Sequence, residues 1–226
     1  MSDPTFVDRL SPAARERFAA MGIRRTVAAG THILLEGDLG SRIWAIHSGL
    51  VKVSVIHRDG MEVVPALRGA GDLVGELAVL DDKPHSASVV TLLPTEVQTV
   101  AATEFLSFLR SDPDAAMALT RSIAARLRES DELRVGQAAE DVAHRLARCL
   151  VDLAAAHSPS ADDRAPGDSL VIELPLTQQD LAGIVGASRD AVAKTLQGWR
   201  DQGLVRTSRR RIELVDADTL VRRHRL

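Results

Sequence analysis

The most informative segment of the sequence is Leu176-Thr-Gln-Gln-Asp-Leu-Ala-Gly-Ile-Val-Gly-Ala-Ser-Arg-Asp-Ala-Val192. Its residues Thr177-Gln-Gln-Asp180 form a capping box, which predicts the start of a helix. Gly186 ends that helix, and Ser188 is a suitable N-cap for a second helix that continues to about Asp201. The segment therefore predicts two short helices separated by a tight turn.

Side-chain size at three positions predicts how these helices pack. Ala182 lets them approach, Gly186 makes the turn, and Val192 packs the second helix on the first, which is the pattern of a helix-turn-helix. A hairpin is predicted over residues 204–215 around the basic run Ser208-Arg-Arg-Arg211. A basic hairpin after such a motif extends it to a winged helix whose tip can contact phosphates.

The second predicted helix begins with side chains suited to reading DNA. Arginine donates two hydrogen bonds to guanine, aspartate accepts from cytosine N4, and lysine contacts guanine or phosphate. Surface ion pairs would put the same residue types on any helix, but their place in a capped helix-turn-helix with a wing favours DNA. The candidate DNA-binding residues are Thr177, Gln178, Gln179, Ser188, Arg189, Asp190, Lys194, Arg209 and Arg210.

The charge of the chain is unevenly distributed. The net charge of the 226 residues is −3. Residues 176–226 contain 10 Lys and Arg against 6 Asp and Glu, whereas the first 175 residues contain 18 against 25. The C-terminal segment is thus +4 and the remainder −7. This split suggests a small module that faces polyanions, although a solvated surface would also account for it.

The N-terminal part is predicted to be a β-sandwich or barrel. Short β-rich runs alternate with glycine-containing turns at nearly regular spacing. The interior of such a fold is either a side-chain core or a ligand pocket. The predicted strands are 33–35, 43–47, 51–56, 62–66, 87–92 and 96–101.

A long helix is predicted to follow, capped by Asp112 with Pro113 in its first turn. Its apolar stripe either packs on the helix's own sandwich or forms a two-stranded coiled-coil seam, and its length favours the dimer. A further helix is expected over 140–156 and a loop over 158–169. The stripe consists of Leu119, Ile123, Leu127, Ser130 and Leu133.

Composition and missing motifs exclude several classes of protein. The single cysteine, Cys149, cannot form an internal disulfide or a multi-cysteine metal site, and its apolar surroundings predict a core residue. No apolar stretch approaches the roughly 20 residues that span a bilayer, and residues 1–10 lack a secretory apolar region. We therefore expect a cytoplasmic protein without membrane contact. No HExxH, GxSxG or P-loop is present, so neither an enzyme nor a metal site is expected.

Three segments resemble a known family: Gly71-Asp-Leu-Val-Gly-Glu-Leu-Ala78, Pro84-His-Ser-Ala-Ser88 and the segment from Leu176 to Val192. Over its whole length the chain resembles the CRP/FNR family of transcription regulators. The resemblance implies an α+β fold with a cyclic-nucleotide-binding β-roll of jelly-roll type over 1–111. A dimerisation helix over 112–138 and a winged helix-turn-helix DNA-binding domain over 139–226 would follow.

The resemblance also implies an allosteric effector. This would be a cyclic nucleotide, cyclic AMP in the first place or cyclic GMP, with no covalent cofactor. The Glu76 carboxylate would accept from the ribose 2′-hydroxyl, and the backbone near Gly75 and Ala78 would approach the sugar-phosphate. The implied ligand-binding residues are Gly75, Glu76, Leu77, Ala78, His85, Ser86, Ser130 and Asp131.

Two of these positions depart from the family pattern. His85 stands where cyclic-nucleotide binders have an arginine for the phosphate, which leaves weak nucleotide binding, another ligand and a relic pocket open. Ser130 keeps the hydroxyl that contacts adenine, but Asp131 follows it. A carboxylate matches the paired N–H donors of guanine, so a preference for guanine is our hypothesis. The alternative is a surface carboxylate paired with Arg128 or Arg134.

The resemblance implies a homodimer on a palindromic operator. Two helices starting at Ser188 would enter successive major grooves, and their first residues resemble readers of a TGTGA-type half-site, with Asp190 in place of the commoner glutamate. The effector would act through the long helix and a hinge near Asp141, and RNA polymerase is a candidate further partner. The main alternative is a ligand-independent DNA-binding dimer.

Overall fold

The structure is a computed structural model that describes residues 4–58, 60, 62–157 and 169–223. The backbone packs as two compact units. One contains Met1–Ile56 and Val64–Ser130, and the other contains His57–Val63 and Asp131–Leu226. Apart from its last residue, the loop predicted over 158–169 lies outside the described residues.

Two four-stranded sheets form the first unit. Their orders are β1-β8-β3-β6 and β2-β7-β4-β5, and the prediction of a sandwich or barrel is confirmed. All six predicted strands are present, with ends shifted by a few residues. The sequence analysis missed β1, which is largely exposed and lacks apolar alternation, and β6, which has two residues. The strands are Ile23–Val27 (β1), His32–Leu34 (β2), Arg42–Ser48 (β3), Val51–Ile56 (β4), Glu62–Arg68 (β5), Leu73–Val74 (β6), Ser88–Thr91 (β7) and Thr95–Ala101 (β8).

Helices cover one side of this unit and complete its core. Phe6, Phe18 and Phe105 pack edge to face, with ring centroids 5.4–6.4 Å apart, and all three are buried. Because edge-to-face contacts add to the burial of large aromatic surfaces, this cluster anchors the N-terminal helices. The helices are Phe6–Arg9 (α1), Pro12–Ala19 (α2), Glu76–Asp81 (α3), Ala102–Ser111 (α4) and Pro113–Ala139 (α5).

The predicted long helix is confirmed as α5. The Asp112 carboxylate accepts a hydrogen bond from the Ala115 amide at 3.0 Å, as an N-cap should. Near its start α5 packs on its own unit, where Leu119 is buried. Further along, Leu127 is 59% and Val135 67% exposed. The helix thus packs on the sandwich at one end, and the dimer seam stays a prediction for the other.

The second unit contains the predicted helix-turn-helix and wing. The strands form an antiparallel sheet in the order β10-β11-β9. Cys149 lies half-buried on α6, where burial raises the pKa of its thiol to about 12. No described helix combines the length and the apolar character needed to cross a bilayer. The elements are Val142–His157 (α6), Leu170–Ile172 (β9), Gln178–Val185 (α7), Arg189–Asp201 (α8), Val205–Ser208 (β10), Arg211–Leu214 (β11) and Ala217–Arg223 (α9).

Candidate functional site

A cavity of about 410 Å³ opens in the first unit, within the range of small-molecule sites. Its walls come from strands β2, β4, β5 and β7, from the segment around α3, and from α5. Seven of the eight residues predicted to bind the ligand line it; Asp131 does not. The seven are Gly75, Glu76, Leu77, Ala78, His85, Ser86 and Ser130.

Gly75 makes the turn into α3 with a φ of +84°. A Cβ at this position would lie 3.3 Å from the Arg42 carbonyl oxygen and 3.3 Å from the His85 ring. A larger residue would therefore strain the backbone and push the imidazole aside. Glycine brings the backbone against the His85 side chain at the cavity wall.

Glu76 and Arg126 form a partly buried ion pair in the same wall. The Arg126 guanidinium donates to Glu76 Oε1 at 2.6 Å, to the Leu73 carbonyl oxygen at 2.8 Å and to Asp72 Oδ1 at 3.3 Å. Glu76 is only 3% exposed, and burial raises the pKa of its carboxyl while Arg126 opposes this. The pair joins α3 to α5 and offers a ligand both a carboxylate acceptor and guanidinium donors.

His85 is held in the wall by its backbone. Its amide donates to the Asp38 carbonyl oxygen at 2.8 Å, and its carbonyl oxygen accepts from the Gly37 amide at 2.9 Å. Burial lowers the pKa of the imidazole, partly opposed by Asp38. Desolvation therefore favours the uncharged imidazole. The wall has a titratable ring at residue 85, where the family pattern has the permanent cation of an arginine.

The three Lys and Arg side chains that line the cavity are each paired with a carboxylate. Arg68 Nη2 lies 3.1 Å from Glu129 Oε2, and Lys83 Nζ lies 3.3 Å from Asp81 Oδ2. The third cation, Arg126, pairs with Glu76 as described above. A bound anion would therefore compete with internal carboxylates for these cations.

Ser130 and Asp131, which are neighbours on α5, differ in their surroundings. Ser130 lines the cavity together with Glu129. The Asp131 side chain is 60% exposed and lies 3.4 Å from Arg134, which is the surface pairing weighed as the alternative. Its role in selecting guanine stays a prediction.

The capping box in the second unit is confirmed atom by atom. Thr177 Oγ1 accepts from the Asp180 amide at 3.1 Å, and Asp180 Oδ2 accepts from the Thr177 amide at 2.8 Å. Gly186 ends α7 in the left-handed conformation, with φ +63°. Ser188 Oγ then accepts from the Ala191 amide at 3.2 Å and caps α8. The two predicted helices and their turn are therefore present.

The predicted DNA-reading side chains lie on the surface of this unit. Arg189, Asp190 and Lys194 are exposed on α8. No carboxylate of the described residues lies within 4.0 Å of Arg189 or Lys194. Both cations are thus available to an incoming polyanion. Among the residues at the start of α7, Thr177 is exposed, whereas Gln178 and Gln179 are half-buried.

The predicted wing is a hairpin with a two-residue turn. Ser208 pairs with Arg211, so Arg209 and Arg210 form its tip. Both are exposed, and Arg210 has φ +60°, an uncommon conformation for a residue with a side chain. The tip thus presents two cations to solvent, as phosphate contacts require.

Arg126 and Arg68 are two charged residues of the cavity wall that were not predicted from the sequence. Each pairs with a carboxylate at least 50 residues away along the chain, and no local pattern reports such a contact. The sequence did contain one indication of the role of Arg126. This arginine precedes the predicted ligand-binding residue Ser130 by four positions, so the two side chains share one face of the helix.

Two relatives match most of the chain. The "CRP-like cAMP-activated global transcriptional regulator" of Mycobacterium tuberculosis is 30% identical over 196 residues, which cover 87% of this chain and 85% of that protein. The "Cyclic AMP receptor protein" of Thermus thermophilus is 30% identical over 197 residues, with coverages of 87% and 86%.

The family comparison agrees with the two units. The model for the "Cyclic nucleotide-binding domain" matches residues 24–112, and the model for the "Crp-like helix-turn-helix domain" matches residues 144–223. Cavity and helix-turn-helix define a DNA-binding transcription regulator of the cyclic-nucleotide-regulated class. The chain belongs to the CRP/FNR family. The resemblance noted in the sequence and the α+β fold class are confirmed.

A solved structure shares the fold. The c-di-GMP responsive global regulator CLP of Xanthomonas campestris superposes with a TM-score of 0.76 at 24% identity, covering 90% of this chain and 99% of that chain.

Proposed function

We propose that this protein is a homodimeric transcription regulator of the cytoplasm, and that a cyclic nucleotide in the cavity controls its affinity for palindromic double-stranded DNA. Cyclic AMP is the first candidate, because both relatives described above are named for it. The proposal includes no covalent cofactor, catalytic activity or membrane contact. It assigns 1–111 to sensing, 112–138 to dimerisation and 139–226 to DNA binding. RNA polymerase stays a predicted further partner.

The observation that carries the proposal is the composition of the cavity wall. A carboxylate suited to accept from a ribose hydroxyl, Glu76, lies beside the guanidinium of Arg126 and in the same cavity as the Ser130 hydroxyl. The volume of about 410 Å³ accommodates a nucleotide-sized molecule. Because Arg126 and Ser130 belong to α5, a ligand there would contact the helix that leads to the second unit.

A mobility-shift titration tests this function. The intact protein is titrated onto a labelled palindrome of TGTGA half-sites, without nucleotide and with saturating cyclic AMP or cyclic GMP. We expect cyclic AMP to tighten DNA binding by about 5- to 150-fold, the usual range of allosteric coupling. Equal, high affinity in all three arms would instead establish the ligand-independent alternative.

Calorimetry of the two nucleotides tests the second candidate effector, a guanine-containing ligand selected by Asp131. A clear preference for cyclic AMP would reject it. The exposed pair of Asp131 with Arg134 gives the guanine candidate no support.

Exposed apolar residues on α5 support the dimer. Leu127 is 59% exposed on this long helix, and burying the exposed part of its side chain against a second copy stabilises by about 1 kcal/mol per copy. We expect Leu127→Ala to raise the dimer dissociation constant about 30-fold, because both copies lose the contact. Sedimentation equilibrium measures this constant. Ile23→Ala removes an apolar side chain of β1 that is even more exposed, at 70%, and serves as the control. An unchanged dissociation constant for Leu127→Ala would contradict the proposed seam.

A further inference from the structure

A single side chain links the helix-turn-helix to the end of α5. Arg145 lies half-buried near the start of α6. Its Nε donates to the Val185 carbonyl oxygen at 2.8 Å and its Nη2 to the Gly186 carbonyl oxygen at 3.3 Å. Its Nη1 donates to the carbonyl oxygens of Glu140 and, at 3.5 Å, Gln137. One guanidinium therefore contacts both the turn before α8 and the segment in which α5 ends.

These acceptors are the groups that most need a donor. The last carbonyl oxygens of a helix lack partners within it, and Val185 and Gly186 stand at the C-terminal end of α7. A planar guanidinium presents five donors in a fixed geometry, so it can satisfy several carbonyl oxygens at once. A lysine ammonium could not span the same set.

A second contact joins the same two places. A Cβ added to Gly186 would lie 2.4 Å from Nε2 and 2.7 Å from Cδ of Gln137. The side chain of Gln137, in the last turn of α5, therefore packs directly on the turn of the helix-turn-helix. Glycine is favoured here by its φ of +63°, and any side chain at this position would displace the Gln137 amide.

We propose that Arg145 and Gln137 are positioning residues that hold the turn before α8 against the end of α5, and that they pass a ligand-dependent change in α5 to the DNA-reading helix. The coupling part of this proposal rests on the proposed function. Ser130, which lines the cavity, and Gln137 are seven positions apart on one continuous helix, or about 10 Å along its axis. A small change of α5 at the ligand would therefore reach the turn without an intervening loop.

The test combines hydrogen exchange with DNA binding in the full-length protein. Arg145→Gln removes the guanidinium. Arg148→Gln is the matched control, because Arg148 lies one turn further along α6 and donates at 2.8 Å to the Glu140 carboxylate. For the peptide over residues 183–191, we expect exchange to accelerate at least tenfold in Arg145→Gln and less than twofold in Arg148→Gln.

The second readout separates coupling from stability. DNA affinity is measured with and without cyclic AMP, and cyclic AMP binding is measured alone. We expect Arg145→Gln to bind cyclic AMP within twofold of the wild type while the nucleotide-dependent gain in DNA affinity falls at least threefold. Gln137→Ala should likewise keep cyclic AMP binding and lower the nucleotide-dependent gain in DNA affinity. Because Gln137 is at an exposed helix position, this variant keeps the test valid if Arg145→Gln does not fold. Arg145→Lys should restore only part of the gain.

The outcomes distinguish the two proposals. Unchanged exchange at the turn in both Arg145→Gln and Gln137→Ala would overturn the inference, as would an unchanged nucleotide-dependent gain. If wild-type DNA binding does not respond to cyclic AMP, the proposed function fails. The positioning role is then still decided by hydrogen exchange and by DNA affinity without nucleotide, where Arg145→Gln should bind at least threefold more weakly than Arg148→Gln.

Discussion

Arg189→Ala is expected to weaken binding to the palindromic site by about 30-fold or more. Arg189 is exposed in the first turn of α8, where a guanidinium can donate two hydrogen bonds to guanine. Loss of such a contact costs about 1–3 kcal/mol. Because a dimer reads two half-sites, the loss is about 2–6 kcal/mol for the complex. Fluorescence anisotropy at fixed salt measures it.

The control for Arg189→Ala separates base reading from charge. Arg222→Ala removes one positive charge from α9 in the same unit and should weaken binding to all sequences by a similar, small factor. Arg189→Ala should in addition lose discrimination against a palindrome with one guanine per half-site replaced. If discrimination stays at the wild-type ratio, Arg189 does not read a base.

His85→Arg is expected to raise the affinity for cyclic AMP by about 4- to 13-fold. A charge-assisted hydrogen bond is worth about 1.5–3 kcal/mol against about half as much for a neutral one. Burial lowers the pKa of His85, which favours the uncharged ring. The cations already in the wall are paired with carboxylates, whereas the arginine would be a new cation whose closest electrostatic neighbour is Asp38. Isothermal calorimetry at pH 7 measures the change.

The pH dependence gives an independent check on His85. An anionic ligand favours the imidazolium, so it raises the pKa of His85 on binding, and affinity must increase as the pH falls. The increase begins as the pH falls through the pKa of His85 in the complex and levels off below the pKa in the free protein, which burial has lowered. His85→Gln, which keeps a neutral donor, should bind like the wild type at pH 7 but without this increase. Equal affinities of His85→Arg and wild type would show that the phosphate does not lie at residue 85.

Much of the architecture follows from local sequence signals. The capping box at Thr177, the glycine at 186 and the N-cap at Ser188 each act within a few residues, and the structure has all three where the sequence predicts them. The β-rich runs were found for the same reason, because alternation and turn residues are local properties. The exposed β1 carries no such pattern, whereas the short α1 begins with a capping box at Thr5 and Asp8 that was not used to predict it.

The sequence predicted part of the lining of the candidate cavity. It did not predict the ion pairs and pKa shifts of the residues there. The segments around Gly75 and His85 supply just under half of the lining residues. The partner of Glu76 could not be found, because Arg126 is 50 residues away and meets it only after the sheets close. The lowered pKa of His85 likewise depends on burial in the folded protein, which removes water from around the ring.

The sequence alone therefore specifies a β-sandwich or barrel, a long helix, a winged helix-turn-helix and the cations on its surface, since these depend on spacing and on exposed side chains. The folded structure adds which charges are paired, which groups are buried, and that Arg145 contacts the turn at Gly186. These properties depend on distances between residues far apart in the chain, and hydrogen bonds and desolvation act only over a few ångströms.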